Sequence, residues 1–102
     1  MSKFALIYSG GAMAQTPEEQ QAVMQAWNEW FGTLGDAVAD IGNPFGASAS
    51  VSGDGVKDPG GLGATGYSLI TAGSLEEATG LAKGCPIVAA GGAVDVCEAL
   101  EM

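Results

Sequence analysis

The sequence contains no histidine, and this absence limits the chemistry open to the chain. Histidine is the side chain best suited to acid–base catalysis at neutral pH, and it is the commonest metal ligand. A Ser-His-Asp triad, a Cys-His pair or a histidine-ligated zinc site therefore cannot be built within one chain. We expect neither a metal site nor a cofactor.

Arginine is also absent, and three lysines face twelve acidic residues, for a net charge of −9. Binding to nucleic acid or to an anionic membrane surface needs clustered cations, so neither partner is expected. An anionic ligand would have to rely on backbone N–H groups, hydroxyls or a lysine. The simplest interpretation of the acidity is solubility.

Long apolar runs and paired cysteines are missing too. No apolar stretch approaches the roughly 20 residues of a membrane span, and Cys85 and Cys97 do not form a CxxC motif. We expect a cytoplasmic protein whose two cysteines are free thiols. A length of 102 residues suits a single domain.

The first half of the chain shows clear strand and helix signals. Residues 3–9 are apolar on both faces, which predicts a central strand. Thr16, Pro17 and Glu19 predict a capped helix start, and Gly35 a helix end. The apolar positions between them recur at helical spacing and include Val23, Trp27, Trp30, Phe31, Leu34 and Val38.

The second half of the sequence predicts several strands and a second helix. Residues 47–52 alternate as a half-exposed strand, and Asp54-Gly55 predicts a hairpin with a short return over 56–58. The glycine-rich residues 59–65 are either a lid over a ligand or a disordered connection. A strand is expected over 66–71, with Ile70 on the face opposite the helices.

A second helix and a last strand complete the pattern. Ser74 and Glu77 predict another capping box, and Cys85-Pro86 blocks continuation of the helix. Residues 93–98 predict the final strand. The residues expected to face the core are Leu75, Ala78, Leu81, Ala82, Val94 and Val96.

The element order β-α-β-β-α-β predicts an α+β, ferredoxin-like fold. It would hold a four-stranded antiparallel sheet, with strands one and three central and two helices on one face. The opposite face would expose an apolar patch. A homodimer pairing sheet against sheet is the simplest way to cover it. The patch is expected to comprise Ala5, Ile7, Ile70 and Cys97.

Residues 66–96 carry a family resemblance. Gly66-Tyr67-Ser68-Leu69-Ile70, then Ser74-Leu75-Glu76-Glu77-Ala78, Leu81-Ala82-Lys83-Gly84-Cys85-Pro86 and Gly91-Gly92-Ala93-Val94-Asp95-Val96 are similar to the C-terminal half of the YCII-related family of small bacterial-type domains. The resemblance extends over residues 1–102 as one YCII-like domain. It implies a dimeric α/β barrel.

The same resemblance implies little about activity. Some members are similar to small ring-cleavage-pathway enzymes, with a His-Asp pair as the proposed active site. This chain has no histidine for that pair and carries Cys85 before Pro86 where such members have Asp. The Asp-Gly-Pro-Phe motif of one branch is also missing, because Val56 follows Asp54-Gly55.

Candidate site residues cluster at the end of the first strand and on the first helix. Tyr8 could donate a hydrogen bond or a proton, or could be a half-buried core residue. The helical aromatics could line a pocket for a planar ligand or pack in the core. The candidate ligand-binding residues are Tyr8, Ser9, Gly10, Trp27, Trp30 and Phe31.

Asp36 and Asp40 are the other catalytic candidates beside Tyr8. If the first helix continued, both carboxylates would face one side and could share acid–base work; the alternative is a solvated surface. Cys85 follows a helix C-terminus, where the dipole disfavours a thiolate and hence a nucleophile.

Three functions are compatible with these residues. The first is a homodimer that binds a small organic molecule in a helix–sheet cleft. The second is a cofactor-independent lyase or isomerase that acts on an organic acid with Tyr8, Asp36 or Asp40. The third is a structural interaction subunit.

Overall fold

The computed structural model describes residues 2–11, 15–57 and 64–100. Six strands and three helices lie in this part of the chain, with a short 3-10 turn at Gly35–Ala37. In chain order they are β1 (Ser2–Ser9), α1 (Pro17–Leu34), β2 (Val38–Asp40), β3 (Ser50–Ser52), β4 (Gly55–Lys57), β5 (Ala64–Ala72), α2 (Leu75–Ala82), α3 (Pro86–Ala89) and β6 (Ala93–Ala99).

Both long helices begin where their local signals predict. The Thr16 hydroxyl accepts a hydrogen bond from the Glu19 N–H at 3.1 Å, and the Ser74 hydroxyl accepts one from the Glu77 N–H at 3.1 Å. Gly35 ends α1 with a positive φ of 55°. Each hydroxyl satisfies an amide that no helical carbonyl can reach, so local chemistry alone sets these boundaries.

The four-stranded sheet is antiparallel, in the order β2-β5-β1-β6. The two strands expected at its centre lie there. The predicted strand over 47–52 does not join the sheet, and β2 occupies that edge instead. After Gly35 the chain turns back at once, which brings Val38 opposite Ile70. The fold is α+β and is compatible with a ferredoxin-like arrangement.

The segment predicted as the second strand forms a separate hairpin. Only Ser50–Ser52 is extended, and it pairs with β4 alone. Val51 is 75 % exposed, so this strand has no apolar side chain that reaches the core. The predicted hairpin is present, but its two turn residues are Gly53 and Asp54, because Gly55 pairs with Ser52 and begins β4. Asp58 and the proposed lid over 59–63 lie outside the described residues.

The core lies on one face of the sheet, against α1 and α2. It contains Phe4, Leu6 and Ile70 from the strands, Trp30 from α1 and Ala78 from α2. The predicted inward positions Val94 and Val96 of β6 pack partly buried against this cluster.

Ile70 was expected on the open face, and that prediction is wrong. Ile70 pairs with Phe4 and is fully buried. Leu69 takes its place, because Ala5 lies opposite both Leu69 and Cys97. Cross-strand partners share a face, so the open face carries Ala5, Ile7, Leu69 and Cys97.

The first turns of α1 and α2 lie away from the core. Val23 and Leu75, both expected to face inward, are 44 % and 52 % exposed. Burial begins at Ala26 in α1 and at Ala78 in α2. The four-residue helix α3 was not predicted. Pro86 suits the first position of a new helix as well as it blocks the old one.

Candidate functional site

Two hollows flank α1 and share Trp27 as a wall. The larger, about 860 Å³, is the α3 groove, an open depression lined largely by small side chains. The smaller, about 560 Å³, is the Tyr8 cavity and lies between α1, the sheet and the loop after β2. Its lining residues are Tyr8, Met24, Trp27, Asn28, Phe31, Ile41, Gly42, Asn43, Pro44, Thr65, Gly66, Tyr67, Ser68 and Ile87.

Aromatic rings form one side of the Tyr8 cavity. Trp27 and Phe31 are one helical turn apart on α1, and their ring centroids are 5.9 Å apart. The Trp27 ring meets the Tyr8 ring edge to face at 4.9 Å. Such a wall suits the flat face of a ring-shaped ligand. Of the predicted aromatic set, Trp27 and Phe31 line this cavity.

Trp30 has a structural position instead. Its side chain is buried, and its indole N–H donates to the Leu81 carbonyl at 3.2 Å. This bond ties α1 to α2 across the core. Trp30 borders the α3 groove and is not among the residues that line the Tyr8 cavity.

Two buried hydroxyls lie in series at the cavity. The Tyr8 hydroxyl donates to the Ser68 hydroxyl at 2.7 Å, and Ser68 donates to the Ile41 carbonyl at 2.5 Å. Tyr8 is 5 % and Ser68 1 % exposed. We call these three groups the hydroxyl chain. It connects β1, β5 and the loop that follows β2.

Ser68 was not among the predicted site residues. A polar side chain facing the core of a central strand is costly unless it is hydrogen-bonded. Its inward position would have marked it as a site residue. That position depends on the register of β5, which places Ser68 opposite Leu6.

Burial raises the pKa of Tyr8 from 10.0 to about 12. The hydrogen bond with Ser68 acts in the opposite direction, and the nearby Cys85 adds a smaller upward effect. The Tyr8 phenol is therefore neutral at physiological pH. Its proton points to Ser68 rather than to a ligand.

The loop after β2 is pinned against β5 where it closes the cavity. Gly42 has a positive φ of 78°, and a Cβ there would overlap the carbonyl oxygen of Tyr67. The Asp40 carboxylate accepts from the Gly42 N–H at 2.8 Å. Phe45 stacks on Tyr67 with ring centroids 5.7 Å apart. These contacts hold the loop against β5.

The two candidate aspartates do not form a shared site. Asp36 lies in the 3-10 turn, whereas Asp40 ends β2, because α1 stops at Leu34 instead of continuing. Both are exposed, and neither lines either hollow. The alternative of a solvated surface fits their positions.

The two remaining candidates, Ser9 and Gly10, do not line the Tyr8 cavity. Gly10 lines the α3 groove, with a positive φ of 70°. Ser9 is not among the lining residues of either hollow. Of the six predicted ligand-binding residues, the structure brings Tyr8, Trp27 and Phe31 together at the Tyr8 cavity.

No charged side chain lines the Tyr8 cavity among the described residues. The same part of the chain holds no cluster of three metal-ligating acidic, histidine or cysteine side chains. The site therefore offers hydroxyls, amides and rings rather than ions.

Cys85 is buried and caps the start of α3. Burial raises the pKa of its thiol from 9.0 to about 11, against a smaller lowering by a backbone hydrogen bond at Ile87. Burial, rather than the helix dipole expected from the sequence, therefore disfavours the thiolate of Cys85. Desolvation of the thiolate is the dominant effect.

Searches of known protein families, curated proteins and solved structures find no match to this chain. Over residues 2–11, 15–57 and 64–100, no helix is both long and apolar enough to cross a membrane. The function must therefore be argued from the geometry of the site.

Proposed function

We propose that this chain is a YCII-related domain that binds a small organic molecule in the Tyr8 cavity. The volume, about 560 Å³, falls in the range of small-molecule sites. Aromatic rings form its walls, and the buried hydroxyl chain supplies a few placed polar groups. This combination of apolar walls with convergent, buried hydroxyls carries the proposal.

Binding without turnover is better supported than catalysis. A lyase or isomerase acting on an organic acid would need a proton carrier and donors for the carboxylate, of which a cation is the strongest. Asp36 and Asp40 lie away from the cavity, and none of its described lining residues is a cation. Tyr8, with a pKa of about 12, is a poor base at neutral pH.

A native mass spectrum of gently purified protein tests the binding function. We expect an extra few hundred daltons per chain, the mass of an organic molecule that a site of this size would retain. Phe31→Leu should lose most of this adduct, because it removes one aromatic wall. Ala90→Leu should retain it, because Ala90 borders only the α3 groove.

The reverse pattern would place the ligand in the α3 groove and remove the Tyr8 cavity as the site. If the spectrum shows no adduct, titration with phenol, anisole and benzoate tests whether the Tyr8 cavity binds a small aromatic molecule. A protein that binds none of those probes but recruits another protein would instead support the structural-subunit alternative.

We also propose that the open face pairs with a second copy of the chain. The helices pack on the other face, so Ala5, Ile7 and Leu69 stay only half-buried in one chain. Covering this apolar row favours a self-complementary dimer. Ile7→Asp should shift the sedimentation coefficient from dimer to monomer.

Val51→Asp is the matched control, because it adds the same charge to the exposed hairpin and should leave the dimer intact. A wild-type chain that sediments as a monomer at high protein concentration would overturn the dimer.

A further inference from the structure

We propose that the Tyr8 cavity selects neutral aromatic molecules that donate a hydrogen bond, such as phenols, over those that only accept one. This inference rests on the proposed function, because it specifies the ligand of the same site. It follows from the direction in which the protons of the hydroxyl chain must point.

The Ile41 carbonyl, at one end of the hydroxyl chain, sets the direction in which the protons point. A carbonyl oxygen can only accept, so the bond between Ser68 and Ile41, 2.5 Å long, uses the single proton of Ser68. The bond between Tyr8 and Ser68, 2.7 Å long, must then use the proton of Tyr8. The hydroxyl oxygens of Tyr8 and Ser68 therefore have no proton left to donate, but each can still accept a hydrogen bond.

A third hydroxyl at the cavity, that of Thr65, also donates its proton to a protein acceptor. Thr65 donates to the Tyr8 backbone carbonyl at 3.3 Å. Tyr8, Ser68 and Thr65 thus all direct their protons to protein acceptors. The other side-chain donors at the cavity belong to Asn28, Asn43, Trp27 and Tyr67. None of these four residues is fully buried, so water competes for their protons.

An O–H or N–H on the ligand would meet these free lone pairs. A ligand that can only accept, when its oxygen lies against the hydroxyl chain, must leave a buried hydroxyl oxygen facing another oxygen or break the Tyr8–Ser68 bond. Either outcome costs part of a buried hydrogen bond. The walls formed by Trp27 and Phe31 favour a flat ring around the donor.

The lack of charge in the lining also favours a neutral ligand. None of the described lining residues is charged, and the chain carries a net charge of −9. An anionic ligand would lose its hydration without gaining a cation. Neutral phenols are therefore favoured over aromatic carboxylates of the same size.

The test compares three one-ring probes by calorimetric or NMR titration: phenol, anisole and benzoate. Anisole keeps the ring and the oxygen but loses the donor, and benzoate adds a negative charge. Phenol should bind roughly 3- to 10-fold more tightly than anisole, which corresponds to one net hydrogen bond. Benzoate should bind most weakly.

Ser68→Ala offers a sharper readout. It removes the acceptor of the Tyr8 proton and frees that proton for a ligand. The preference should then move from phenol towards acetophenone, which only accepts. Adding Tyr8→Phe to this variant removes the freed proton and should abolish the gain for acetophenone. Circular dichroism confirms that each variant is folded before it is titrated.

The outcomes separate the two proposals. If no probe binds and the native spectrum shows no adduct, the proposed function fails and this inference fails with it. If no probe binds although the spectrum shows an adduct, this inference alone is overturned. If anisole or benzoate binds the wild type as tightly as phenol, the inference alone is overturned. If Ser68→Ala fails to fold, the three-probe comparison on the wild-type protein decides.

Discussion

Neighbouring residues of each strand point to opposite faces of the central sheet, and the two faces differ in how far their side chains are buried. On the helix-covered face, Ile70 is fully buried and Ser68 nearly so. On the open face, Ile7 and Leu69 remain half-buried despite being apolar. The open face is nevertheless the more polar of the two, because it also carries Lys3 and Asp95. The covered face accepts a serine because Tyr8 and Ile41 satisfy its hydroxyl.

Neighbouring truncations at positions 69 and 70 should show the largest difference between the faces. Ile70→Ala leaves a cavity in the core and should lower the free energy of unfolding by about 2–5 kcal/mol. Leu69→Ala, on the half-buried face, should cost roughly 1 kcal/mol or less in a single chain. Urea denaturation at low protein concentration measures both. Equal losses would show that the open face is as tightly packed as the core.

The second largest effect expected is a loss of stability at alkaline pH, because two titratable groups are buried on the covered face. Tyr8 and Cys85 lie in the core, with pKa values raised from 10.0 to about 12 and from 9.0 to about 11. Between about pH 9 and 12 the unfolded chain loses these protons before the folded chain does. The free energy of unfolding therefore falls as pH rises, by roughly 1–3 kcal/mol per group.

Urea denaturation from pH 8 to 11 checks this sign. Tyr8→Phe should flatten the upper part of the fall and leave the part due to Cys85. A wild-type stability that stays constant across this range would contradict the burial of both groups.

The smallest effect expected is a difference in thiol labelling. Cys97 is exposed on the open face, whereas Cys85 is buried in the core. An aromatic disulfide reagent should modify Cys97 in the folded protein and Cys85 only in denaturant. Cys97→Ser and Cys85→Ala identify each reaction. If the open face pairs two chains, Cys97 should also react more slowly as protein concentration rises.

Local signals in the sequence predicted the helix starts because capping acts within four residues. Thr16 and Ser74 hold amides that lie three positions away, so no distant contact is needed. The edge strand could not be found in this way. Residues 47–52 alternate more regularly than Val38–Asp40, yet pairing with β5 and the reversal at Gly35 selected the shorter segment.

Part of the candidate site could be predicted, namely Tyr8, Trp27 and Phe31. Ser68 and the loop around Ile41 could not, because their roles depend on partners 60 and 27 residues away. The alternation in β5 is ambiguous, because Tyr67 and Leu69 on one face are as apolar as Ile70 and Ala72 on the other. Only the register with β1 shows that Ser68 faces inward.

The loop at Ile41 implies that recognition at this site can change without any change in the groups that touch a ligand. The polarity of the cavity is dictated by one backbone carbonyl at its far end. The loop that carries it is held against β5, where Gly42 lies on the Tyr67 backbone and Phe45 stacks on the Tyr67 ring. A related domain could keep every lining side chain, redirect this loop by one peptide unit, and so acquire the opposite ligand preference.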